Sequence, residues 1–140
     1  MEKFTFFALD FKGGLLELSA EDALTFPPEI VKSWTLEYEP YLAEAALKVG
    51  RKLADARIGT VFGTDGDTIT IAKGKAIAEE IVKGWDRTDS DRQPLPVTPE
   101  NIGTLPLVVI RQVPRRLTKM VIATDAEIDA LRKPTPPSTP

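Results

Sequence analysis

The chain has no cysteine and no histidine. Without cysteine there is no disulfide framework and no thiolate zinc site. Without histidine the commonest general base and metal ligand is missing, which leaves only carboxylate or lysine chemistry and makes an enzyme the unexpected outcome. No apolar run reaches the roughly 18 residues that a membrane helix needs. The opening Met1-Glu2-Lys3-Phe4 does not lead from a basic region into a long apolar one, so no signal peptide is expected. Phosphate-loop chemistry is absent too: Gly74-Lys75 is followed by Ala76 and lacks the upstream glycine at the required spacing.

What is present fits one soluble domain. The 140 residues suffice for a single core, and 42% hydrophobic with 28% charged residues is ordinary globular composition. Net charge is -3, unevenly spread. From Asn101 onward six basic residues face three acidic ones, leaving twelve basic against eighteen acidic in the rest. Such asymmetry can steer an oppositely charged partner, although chance and solvated helix faces account for it better.

Patterning predicts an α+β domain over residues 1–133, followed by an extended, disordered Pro/Ser/Thr-rich tail over 134–140. Residues 4–9 alternate as a strand, Lys12-Gly13-Gly14 turns the chain, and residues 15–18 return as a second strand. Ser19 can cap a short helical turn over 20–24, with Asp22 at its third position. Residues 29–38 fit either a helix or a strand. A central helix over 41–56 carries the stripe Leu42, Ala45, Ala46, Val49, Leu53 and Ala56. Residues 58–72 read as a second hairpin, from β-branched density and the Asp65-Gly66 pair. A helix over 75–84 presents Ile77, Ala78, Ile81, Val82 and Trp85 as one face, with Trp85 as a core anchor at its end. Over 107–121, Leu107, Ile110, Leu117 and Val121 recur at helical steps, and Arg111, Arg115 and Lys119 fall on another face. Pro114 requires a kink there or a second short helix beginning at it, while Val-Val-Ile keeps a strand over 107–113 as a competitor. Thr124 caps a last helix over 125–132.

The most informative stretch is 85–106. Trp85 is followed by the carboxylates Asp86, Asp89 and Asp91, then by the extended Pro94-Leu95-Pro96 strip, then by a helix start with Thr98 as cap, Pro99 in the first turn and Glu100 at the positive end of the dipole. Asp89, Asp91, Gln93 and Glu100 fall at calcium-loop spacing, but Pro94 occupies the position where the sharp turn needs glycine, so a calcium site is not expected. The cations Arg111, Arg115, Arg116 and Lys119 lack interleaved aromatics, so neither is nucleic-acid binding.

Trp85, Thr88, Asp89, Asp91, Pro94, Leu95, Pro96, Thr98, Glu100, Leu105 and Pro106 together resemble a segment of the small tail assembly chaperones of tailed bacteriophages and prophages. The resemblance covers roughly a quarter of the chain. That family usually carries glycine after the acidic turn. This chain has Arg92-Gln93 there, which makes the turn geometry the feature to check. The resemblance implies a non-catalytic protein without cofactor or metal, acting in the bacterial host cytoplasm. Its implied partners are the tape measure protein and tail tube protein rather than nucleic acid or membrane, and self-association is left open. The implied site comprises Trp85, Thr88, Asp89, Asp91, Pro94, Leu95, Pro96, Leu105 and Pro106, joined by the basic row Arg111, Arg115 and Lys119. The competing readings are a structural tail or head–tail connector component and a small carboxylate-dependent enzyme.

Overall fold

The computed structural model describes residues 1–56, 66–118 and 123–133. It is an α+β fold in which one antiparallel sheet, ordered β2-β1-β3-β4, is covered on one face by helices. Strands β1 (Glu2–Phe11) and β2 (Gly14–Leu18) form the expected hairpin. Lys12 (φ 52°) and Gly13 (φ 78°) both adopt the left-handed conformation that a two-residue turn requires. Helix α1 (Ala20–Ala23) is capped as anticipated, the Ser19 hydroxyl accepting from the Asp22 N–H at 3.1 Å. A 3-10 turn, Pro28–Ile30, leads into β3 (Val31–Tyr38). The ambiguous stretch is therefore a strand. Pairing decided it: Leu36 faces Phe4 and Trp34 faces Phe6 across the β1–β3 ladder, which places both on the covered face.

Helix α2 (Ala43–Asp55) forms where expected, but its buried stripe is narrower than predicted. Val49 is buried and Ala45 and Leu53 half-buried, whereas Leu42, Ala46 and Ala56 are exposed. Among the described residues α2 packs chiefly on α3, so residues at four-residue steps are the ones that reach the core.

Two expectations fail between residues 66 and 85. Gly66–Ile81 is a single helix, α3, so the predicted return strand of the second hairpin is not formed; residues 57–65, which hold the rest of that hairpin, lie outside the described residues. The β-branched run Thr68-Ile69-Thr70-Ile71 costs up to about 0.7 kcal/mol per residue in helix propensity. Burying Ile77 and Ile81 further along the same helix returns about 1.5–3 kcal/mol each, which decides the matter. The second failure is at the far end. Val82–Trp85 is not the last turn of a helix but the edge strand β4. Trp85 faces Leu36, Gly84 faces Glu37 and Val82 faces Tyr38, so Lys83 is an extra, bulged residue.

The C-terminal part is a chain of short helices: α4 (Pro99–Ile102), α5 (Leu107–Ile110), α6 (Val113–Arg116) and α7 (Asp125–Leu131). Of the alternatives over 107–121, the described part, 107–118, forms two short helices with Pro114 in the first turn of the second. Thr124 and Glu127 close a reciprocal capping box on α7. The core joins Phe6, Leu36 and Tyr38 of the sheet to Ile77 and Ile81 of α3 and to Ile102, Leu105, Val109, Ile110, Val113 and Leu117. The predicted tail over 134–140 lies outside the described residues. Among the described residues, no helix is long and apolar enough to cross a membrane.

Candidate functional site

Residues 85–106 form one hydrogen-bonded unit rather than a plain link. It begins on β4. The half-buried Trp85 ring donates its indole N–H to the Leu95 carbonyl at 2.6 Å, which seats the Pro94-Leu95-Pro96 strip beside the sheet edge. Asp86 prolongs the ladder: its N–H donates to the Thr35 carbonyl, and its carboxylate accepts the Thr35 N–H at 3.1 Å. Arg87 then closes the unit. Its guanidinium lies 4.9 Å from the Trp85 ring centroid and donates to the Asn101 carbonyl at 2.8 Å and to the Thr104 hydroxyl at 3.0 Å. Burial pushes the Arg87 pKa below its ordinary value, with the Asp86 charge pulling the other way.

The acidic turn is built on one residue. A carboxylate oxygen of Asp89 accepts the N–H groups of Asp91 at 2.8 Å and Gln93 at 3.0 Å. This is the Asx geometry by which aspartate tightens turns. Thr88 forms an isolated bridge with Pro94, which closes the base of the turn. Thr88, Asp91 and Pro94 are exposed. Among the described residues, no group of three or more acidic side chains is placed to hold a metal ion. Arg92 has φ 60°, a left-handed conformation that glycine adopts far more readily.

Beyond the strip the cap forms as predicted. The Thr98 hydroxyl accepts the Asn101 N–H at 3.2 Å, and the Asn101 side chain reaches back to the Pro96 carbonyl at 2.8 Å. Leu105 is buried in the core and Pro106 precedes α5 directly. Of the predicted site residues, Trp85, Thr88, Asp89, Pro94, Leu95 and Pro96 thus meet in one place, while Leu105 anchors the far end.

The basic segment divides between core and surface. Of the stripe's described members, Ile110 and Leu117 are buried in the domain's own core and Leu107 stays out, 60% exposed. Val121 and Lys119 lie outside the described residues. Arg111 pairs with Asp67 at 2.9 Å, and Arg115 pairs with Glu17. The row is therefore partly neutralised within the chain, which weakens its value as a steering surface.

Sequence reasoning missed Arg87 and Asn101. A helical reading of residues 75–84 hides Arg87. Once β4 is a strand, residues 85 and 87 share a side, and a cation two positions after a tryptophan becomes the signal. No family model matches the chain, and no curated protein and no solved structure matches it either.

Proposed function

We propose that this chain is a non-catalytic tail assembly chaperone of the kind found in tailed phages and prophages, keeping the tape measure protein, the tail tube protein or both soluble in the host cytoplasm before the tube polymerises. The observation that carries the reading is the backbone at Arg92. The family pattern calls for glycine after the acidic turn, and here the residue in that place holds the left-handed conformation that glycine favours. The position where the sequence departs is thus one that glycine would suit. The meeting of Trp85 with Leu95, and of Thr88 with Pro94, adds support, because the residues that carry the resemblance form one unit.

Partner capture then falls to surface that the domain does not use itself. The exposed Leu107 and the partly exposed Pro106 beside it, at the end of the connector, offer the nearest apolar ground. Co-expression with a tape measure fragment is the test. The fragment stays soluble and co-purifies if the proposal holds, and Leu107→Asp reduces its recovery. Equal precipitation of the fragment with and without this protein ends the proposal. Stoichiometric presence of the chain in mature particles would instead identify it as a structural tail component.

A further inference from the structure

Among the described residues, the hairpin strand β2 lies at one edge of the sheet, with β1 as its single neighbour. Its pairing can be worked out from the turn. With Lys12 and Gly13 both at positive φ, the flanking pair Phe11–Gly14 exchanges both backbone hydrogen bonds. Alternation then commits Gly14, Leu16 and Leu18 to β1. The N–H and C=O groups of Leu15 and Glu17 are left pointing away from the sheet. Edge strands are ordinarily blunted by lysine, proline, a bulge or a covering element. β2 has an unbroken register with β1 and carries one charge, Glu17, which is held by Arg115. Beside it runs a groove of about 970 Å³, whose walls include Leu15, Leu16, Pro106, Leu107 and Arg111. Leu15 is 39% exposed and Leu16 51%.

We propose that this edge pairs with β2 of a second copy of the chain, antiparallel about a two-fold axis at Leu16, so that the two sheets become one. The outward-facing residues lie symmetrically on either side of Leu16. Pairing about that residue sets Leu15 opposite Glu17 of the second copy and Glu17 opposite its Leu15. Each of those pairs exchanges both backbone bonds. The neighbouring registers are poorer. Centring on Glu17 brings two carboxylates face to face, which is unfavourable, and centring on Leu15 wastes Glu17 against the turn. Charge also favours the Leu16 register. Carried past the strand, it brings the exposed Lys12 of one copy to the first turn of α1 in the other, where Glu21 and Asp22 are exposed. The axis stands perpendicular to the sheet, so both α5 helices fall on the same face. The exposed Leu107 of each copy then flanks the joined edge. The interface is isologous, which closes at two copies and does not propagate.

The absence of cysteine makes the test clean, because Leu16→Cys introduces the chain's one thiol. In the proposed register Leu16 faces its own copy across a non-hydrogen-bonded pair, about 4.5 Å between Cα atoms. That lies inside the disulfide range of about 4.4–6.8 Å. Under mild oxidation with oxidised glutathione, Leu16→Cys should cross-link to a covalent dimer, while Leu47→Cys, exposed on α2, should remain largely monomeric. Sedimentation of the wild-type chain should show a dimer. Leu15→Pro, which removes an outward N–H and leaves the β1–β2 bonds in place, should sediment as a monomer with unchanged circular dichroism. A wild-type monomer at all concentrations, or equal cross-linking of both cysteine variants, overturns the proposal. So does a dimer that survives Leu15→Pro. Should Leu15→Pro fail to fold, the cross-linking pair and the wild-type sedimentation decide.

Discussion

Where α3 passes α5 the backbone is held by closeness, and in the connector it is held by hydrogen bonds. Gly74 is buried, and a methyl group there would overlap the Ile110 carbonyl oxygen. The helices approach as they do because nothing projects between them. The connector has the opposite construction. Thr88, Asp89, Asp91, Pro94 and Pro96 are all exposed, and its shape comes from Trp85, Arg87, Asp89, Thr98 and Asn101 bonding to backbone groups. The helical layer should therefore be intolerant of added volume. The connector should accept volume and be intolerant of lost donors and acceptors.

The sharpest way to break that contrast is Gly74→Ala. Alanine favours helix over glycine by about 1 kcal/mol, yet overpacking against a backbone carbonyl should outweigh it and lower stability by about 3 kcal/mol in a urea melt. A variant more stable than wild type would mean that α3 and α5 have room to spare, and the contrast would collapse. The connector's side is tested next, by two changes at Trp85, beginning with Trp85→Phe. The ring area is largely kept and the N–H is lost, leaving the Leu95 carbonyl without its partner, for a cost of about 1–2 kcal/mol. Trp85→Ala should cost about 2–3 kcal/mol, below the range for a fully buried tryptophan because Trp85 is only half-buried. If Trp85→Phe melts like wild type, packing rather than hydrogen bonding holds the connector.

A smaller effect tests the polar side of the helical layer. Lys52 of α2 bridges Glu80 at 2.9 Å and Glu79 at 3.3 Å on α3. The hydrogen bond from Lys52 holds the Glu80 carboxyl below its ordinary value of 4.5, against the opposing effect of burial. Lys52 is raised above its ordinary 10.5, chiefly by the same bond to Glu80. The Glu80 contribution is therefore present above pH 4.5 and fades as pH falls through the lowered folded value. The Lys52 contribution is complete below pH 10.5 and fades as pH rises through the raised one. Lys52→Met should cost less than about 1 kcal/mol at neutral pH, as surface pairs do, and should flatten the loss of stability on the acid side. An unchanged acid limb would remove the pair from the account of how α2 is held. The smallest effect is Arg92→Gly. Relief of left-handed strain, about 1 kcal/mol, is set against the extra unfolded-state freedom of glycine, about 0.5–1 kcal/mol. The melting midpoint should stay or rise slightly; a clear fall would mean that the Arg92 side chain itself supports the turn.

Local chemistry was legible in the sequence wherever it acts within a few residues. The Lys12-Gly13 turn, the Ser19, Thr98 and Thr124 caps and the split at Pro114 follow from side chains that bond or block their own backbone. What was not legible was decided by distant partners. Thr68 to Ile71 carry strand propensity but belong to a helix whose burial lies further along, at Ile77 and Ile81. In the candidate site, the cap and the Asp89 turn were visible, and the Arg87 clamp was not, because it depends on β4 being a strand. Leu107 to Leu117 could be read as amphipathic, but an apolar stripe does not say whether it meets its own core or another molecule. Here most of it meets the core.

The bulge at Lys83 explains why residues 81–85 deceive. In a regular strand Val82 and Trp85, three apart, would point to opposite faces. With one surplus residue between them they point the same way, so the spacing mimics a turn of helix. The surplus residue thereby acts as a parity switch for everything downstream. Deleting Lys83 would leave Val82 and Trp85 two apart in a regular strand, still on one side opposite Tyr38 and Leu36; drawing Lys83 into the regular ladder would instead turn either Val82 or Trp85 to the wrong side of the sheet. With Trp85 displaced, the Leu95 seat and the Arg87 clamp would lose their anchor together, though no residue of the connector itself had changed. The frame in which the whole segment is read thus depends on the exposed Lys83 staying out of the ladder.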